Sequence, residues 1–251
     1  MLNYIKAELW KLSQRRAFYA LALVLLLCVA FFLWLFSQGA FAHLTAAIST
    51  TMLVGMLLAP PLAQLVDSAA HETLKNERAF GLSSERIYFG KLLAGLILGL
   101  CLCLAMVGGC QGLGWLLLPH GAAESVQVSL GVLGFCLLGA LPLWCAMLAV
   151  CHTLALTVQS TVAWVSGYYL AFFLGQPILL LVLNLLLGGR ASTEAYPLLT
   201  AILMPYILLM PSYLSGWLAW EYQLWCWGIG LGWIVVSAGG GVLLLRRWNM
   251  R

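Results

Sequence analysis

Long apolar runs separated by short polar stretches set the layout of this chain. Residues 17–36 form an apolar run of 20 positions, enough at about 1.5 Å per residue to cross a hydrocarbon core of about 30 Å as one helix. Further runs cover 45–66, 92–118 and 224–245, each bounded by charge, proline or polar clusters. Residues 125–189 contain no Asp, Glu, Lys or Arg, which is too long for one helix and suits two helices joined by a tight turn. The polar stretch 152–161 is the expected turn. The pattern therefore predicts an all-α polytopic membrane protein with six transmembrane helices.

Two further elements follow from the same pattern. Leu2, Ile5, Leu9 and Leu12 recur at helical spacing opposite Lys6, Lys11 and Arg15, which predicts an N-terminal interfacial helix ahead of the first span. Residues 198–210 are apolar but too few to cross, interrupted by Pro205 and flanked by Pro197 and Pro211, which predicts a re-entrant element between spans five and six. Trp217, Trp220, Tyr222, Trp225 and Trp227 follow it, as an aromatic belt at the outer headgroup level or as substrate contacts.

Charge placement tests the span count independently, because cytoplasmic loops of membrane proteins collect Lys and Arg. Lys6, Lys11, Arg15 and Arg16 precede the first span; Lys75, Arg78, Arg86 and Lys91 follow the second; Arg246, Arg247 and Arg251 follow the last. Of the 12 basic residues only Arg190 falls on the other side, so both termini are expected in the cytoplasm and the number of crossings is expected to be even.

Composition agrees. The chain is 63% hydrophobic and 8% charged, too few charged side chains to coat a soluble surface, so most of the exterior is expected to face lipid. A net charge of +4 spread over three clusters between apolar runs reports topology and no nucleic-acid surface. The eight cysteines lie in or beside apolar runs without a C-x-x-C pair and read as small hydrophobes. Ala40-Phe41-Ala42 mimics a signal-peptidase site, yet the run before it exceeds the about 7–15 residues of a signal core, so it reads as a retained span. Pro60-Pro61, Pro142 and Pro177 are expected to kink or end helices, and Gly95-x-x-x-Gly99 and Gly108-x-x-x-Gly112 to permit close helix approach. With no repeat or linker, residues 1–251 read as one transmembrane domain.

The expected membrane core offers little chemistry. Asp67 and Lys91 lie at predicted span ends, Glu124 and Glu194 in outer loops, and Glu221 before the last span, all at positions where water can reach them. His152, at the presumed turn, suits a hydrogen-bonded structural role or a proton relay. No H-E-x-x-H exists, since Lys75 stands where the second His would be, so no metal site is expected. Gly90-Lys91 lacks the upstream glycine of a phosphate-binding loop, so the chain is not expected to bind ATP itself, nor to be an enzyme.

That leaves the polar segment 67–91. Glu72, Lys75, Asn76, Glu77 and Arg78 alternate in sign and are interleaved with Leu74, Phe80 and Leu82, which suits a short docking helix for a protein partner, or else a solvated loop between two spans.

An interfacial start with Lys6-Ala7-Glu8-Leu9-x-Lys11, six spans, and the segment Glu72-Thr73-Leu74-Lys75-Asn76…Gly81-Leu82-Ser83-Ser84-Glu85-Arg86-Ile87-Tyr88-Phe89-Gly90-Lys91 resemble type-2 ABC exporter permeases, above all those of lantibiotic self-immunity and bacitracin resistance. The resemblance implies that Glu72, Lys75, Asn76, Arg78, Phe80, Gly81 and Arg86 form a coupling helix seated in a separate ATPase subunit, which binds the ATP. It also implies a second permease copy or related permease, a hydrophobic or amphipathic peptide substrate, and a place in a bacterial plasma membrane. The chain departs from the family in carrying Glu85 between Ser84 and Arg86. Against it stand a secondary transporter, disfavoured by the charge-free spans, and a non-transport membrane protein acting as an assembly factor or sensor partner. An intramembrane enzyme has no nucleophile and base to support it.

Overall fold

A computed structural model describes residues 2–36, 39–67, 76–77, 79–186 and 220–248. Among them the chain is built of helices, without a strand. Helix α1 spans Leu2–Ser13, α2 Arg16–Leu35, α3 Phe41–Thr50, α4 Leu53–Leu57 and α5 Ala59–Asp67. After the polar segment come α6, Ser84–Leu117, and α7, Ala123–Thr157. Helix α8, Thr161–Tyr169, continues through a π-helical turn, Leu170–Leu174, into α9, Gly175–Leu186; α10 covers Trp220–Trp248. Four helices are long and apolar enough to cross a membrane: α2, α6, α7 and α10. The number rises to six if each bent pair counts as one span: α3 with α4 and α5, bent by 47°, and α8 with α9, bent by 56°. The stretch 198–210 and Trp217 lie outside the described residues.

The break between α4 and α5 has a local cause. Pro60 and Pro61 stand in the first turn of α5 and lack the amide protons that would bond the carbonyls of Met56 and Leu57. Those carbonyls instead accept the hydroxyls of Tyr168 and Tyr169 on α8, at 2.8 and 2.9 Å. At the preceding break, Trp144 Nε1 donates to the Met52 carbonyl at 2.9 Å. In hydrocarbon a freed carbonyl has no water to turn to, so these three side chains are what make the bend tolerable. Of the two outcomes expected at Pro142, a kink or an end, the helix does not end: α7 runs through it. Gly230 of α10 packs directly on it, and a Cβ at Gly230 would lie 2.8 Å from the Pro142 carbonyl. A neighbouring helix seated on the irregular turn holds it in place.

Helix α7 is the axis of the bundle. In its most apolar stretch 56% of residues are buried, against 11% in α2 and 22% in α6 and α10. Small buried residues, Gly139, Ala140, Ala146, Ala149 and Cys151, give it the narrow profile that lets neighbours surround it. By contrast α2 turns Leu23, Val24, Leu26, Leu27 and Phe31 outward. Close helix approach occurs at glycines other than the expected ones. Gly108 and Gly112 face open space, and Gly95 and Gly99 make ordinary contacts at 3.5–3.9 Å, because their neighbours there are branched leucines and a valine. The tight contacts among the described residues are Gly55 under Trp144, Gly90 under the ring of Tyr4, Gly114 on Leu44, Gly139 on Tyr222, Gly230 on Pro142, and Gly241 under Tyr88.

Candidate functional site: the polar end of the bundle

The segment between α5 and α6 closes on a single helical turn. Phe80 N donates to the Asn76 carbonyl at 3.1 Å and Leu82 N to the Glu77 carbonyl at 3.3 Å. Gly81, at φ +79°, then reverses the chain in the left-handed conformation that glycine adopts without steric cost. Ser83 caps α6, its Oγ accepting the Arg86 amide at 3.3 Å. Of the residues expected to couple to an ATPase, Asn76, Phe80, Gly81 and Arg86 are exposed on this turn and at the start of α6. Phe80 is 86% exposed, a large ring held in the open. Glu72, Lys75 and Arg78 lie outside the described residues.

Glu77, read from the sequence only as one charge of the alternating segment, anchors this turn. Its carboxylate is buried between α1 and α6. Tyr4 OH donates to Oε2 at 3.1 Å, and Lys91 Nζ stands 3.3 Å from Oε1 in ionic contact. Burial, followed by the Glu77 and Glu8 carboxylates, pushes the Tyr4 phenol above its ordinary range, so it keeps its proton and donates it. The expectation of a water-exposed Lys91 is thus corrected. It is 3% exposed, because the ring of Tyr4 lies on the flat surface of Gly90 and α1 covers this face of α6. Helix α1 is amphipathic as expected, with Leu12 buried, but Leu2 faces out and Glu8 faces in, paired with Lys11 at 2.6 Å.

The second correction concerns Asp67 and His152. Asp67 is also buried, and His152 lies inside α7, one turn and more before its end at Thr157; the break to α8 falls at 158–160. His152 Nδ1 stands 2.7 Å from Asp67 Oδ2, with side chains 2% and 0% exposed, and Nε2 stands 3.2 Å from the Tyr88 carbonyl. A carbonyl can only accept, so Nε2 carries a proton. One further proton is then shared between Nδ1 and Oδ2, and the pair is neutral overall whichever atom holds it. That neutrality is why the pair can lie buried where a lone charge could not. The next residue extends the network: Thr153 Oγ1 is 2.8 Å from the Tyr88 hydroxyl and 3.1 Å from the Ser237 carbonyl on α10.

Arg15 donates to the Leu65 carbonyl, and Arg246 at the end of α10 pairs with Glu85 at the start of α6. Every ion pair among the described residues therefore sits at this one end of the bundle. The rest of the span region is mostly apolar, with a few uncharged polar side chains such as Thr45, Gln111 and Gln223 hydrogen-bonded within it. At the bend of α3–α5, an apolar cavity of about 130 Å³ is lined by Leu25, Met52, Gly55, Leu62, Cys103 and Trp144, among others. At the far end, Trp220, Trp225 and Trp227 face outward as an aromatic belt requires. Tyr222 does not: it is buried against Phe135 and Gly139.

No family model matches the chain, and no curated protein matches it.

Proposed function

We propose that the chain is the transmembrane permease subunit of an ABC transporter, expelling hydrophobic or amphipathic peptide-like molecules such as lantibiotics. A separate ATPase subunit supplies the energy, and a second copy or a related permease completes the pathway. On this reading the bent pairs each form one span, giving six. The polar end faces the cytoplasm of a bacterial cell with both termini, and 198–210 dips in between spans five and six.

One observation carries the reading. Phe80 is held almost fully exposed on a turn whose foot, Glu77, is locked to α1 and α6 by Tyr4 and Lys91. An exposed aromatic anchor on a rigid base is what a protein partner can grip and push. The collection of ion pairs at the end where Lys and Arg cluster supports the orientation. The largely apolar cavity supports the substrate class, since no charged side chain lines it to partner an ionic cargo.

The test is labelling and co-purification together. In a cysteine-free background, an impermeant thiol reagent on intact cells labels a cysteine at position 190 and spares one at position 75. An ATPase co-purifies with the parent and is lost in Arg78→Glu and Phe80→Ala variants that still insert. Labelling at 75 but not at 190, or an ATPase indifferent to both variants, contradicts the proposal.

A further inference from the structure

We propose that the Asp67–His152 pair is the joint through which displacement of the exposed turn at 76–83 reaches α7 and α10. It rests on the permease reading for its biological use, and on geometry for its existence. Asp67 is the last residue of α5, where the chain leaves the bundle for the polar segment, and Tyr88 lies in the second turn of α6, where it returns. One imidazole joins both roots: Nδ1 to the Asp67 carboxylate at 2.7 Å and Nε2 to the Tyr88 carbonyl at 3.2 Å. His152 belongs to the central helix, and Thr153 beside it carries the connection to Ser237 of α10 at 3.1 Å. The Tyr88 ring, packed on Gly241, closes the circuit between α6 and α10.

The pair is also an expensive way to achieve cohesion alone. Ionisable side chains buried at membrane-span ends are costly, and an apolar pair of similar volume would hold the same helices together without desolvation. What the apolar pair would lack is direction. Two hydrogen bonds at opposite ring nitrogens fix the imidazole against both roots at once, so neither can shift without turning it. The other Asp67 oxygen, Oδ1, is buried with no hydrogen-bond partner among the described residues, so the link from α5 to the imidazole runs through the Oδ2–Nδ1 contact alone. Asp67 and His152 are thus positioning residues for energy coupling, distinct from the surface that binds the ATPase.

The experiment applies a load to the turn without needing the ATPase. In cysteine-free protein in lipid nanodiscs, Phe80→Cys is biotinylated with a maleimide and loaded with streptavidin. Amide hydrogen exchange is then read over 150–157 and 237–245. The parent is expected to change exchange in both segments by about fivefold or more on loading, the lower range of site-to-site coupling. Asp67→Asn keeps a neutral hydrogen bond to Nδ1 and should transmit like the parent. The double variant Asp67→Leu with His152→Leu removes the joint and leaves no stranded charge, so it folds even where Asp67→Ala does not. It should lose the change in both segments while exchange within the loaded turn still responds. Full transmission in the double variant, or none in the parent, overturns the joint. A final arm adds the co-purified ATPase with ATP: transmission under streptavidin but no ATPase binding would leave the joint standing and refute the permease reading.

Discussion

The two ends of the bundle each bury a histidine's neighbourhood differently, and the contrast shows where this molecule concentrates its polar interactions. At the Asp67 end, His152 is 2% exposed and held by a carboxylate and a carbonyl at opposite ring nitrogens. At the other end, His120 is exposed and meets Trp115 edge-on, ring centroids 3.9 Å apart, with Phe41 beside them and no acidic partner among the described residues. One end is cross-linked by ion pairs and side-chain hydrogen bonds that tie together α1, α5, α6, α7 and α10; the other is a rim of aromatic rings and backbone bonds such as Phe41 N to the Pro119 carbonyl at 2.9 Å. Rings at a membrane boundary hold depth while letting helices slide, whereas hydrogen-bonded charge pairs hold register. A rigid polar end and a loosely tied aromatic end are the arrangement a device driven from one side needs.

The contrast can be broken most severely at Asp67. Asp67→Ala leaves His152 without its carboxylate partner and should cost about 3–5 kcal/mol, read as a lower thermal unfolding midpoint in detergent. Replacing both residues by Leu should recover most of that loss, and if it does not, cohesion and not the pairing is at stake. Next comes Tyr168→Phe, which leaves the Met56 carbonyl stranded above Pro60 and should cost about 1–3 kcal/mol by the same measurement. Arg246→Ala removes an exposed pair with Glu85, and its effect should be within about 1 kcal/mol and vanish at high salt. Smallest of all is His120→Ala, expected within about 0.5 kcal/mol of the parent. A large effect there would erase the distinction between the two ends.

Much of this was legible in the sequence because hydropathy acts locally. The spans that became α2, α6, α7 and α10, the amphipathic α1 and the break within 152–161 all follow from runs and spacings a few residues long. The site was legible only at its surface: Phe80 and Gly81 advertise an exposed turn. Its foundations were hidden, since Asp67 and His152 are 85 positions apart and Glu77 and Tyr4 are 73 apart, and no local pattern couples them. A faint signal existed. Asp67 and Lys91 each border an apolar run, and His152 lies within a charge-free one, all on the side where Lys and Arg are expected to collect. The glycine pairs misled for a related reason: G-x-x-x-G marks a flat face, but which partner meets it depends on helices far away in the chain.

The most direct measurement is ATP hydrolysis in the complex purified through this subunit from its native membrane. The account predicts ATPase activity that accompanies the parent protein and is lost when Phe80→Ala and Arg78→Glu are introduced together, while the variant remains folded in the membrane. Absence of ATPase activity with the parent, or undiminished activity with the double variant, would contradict it.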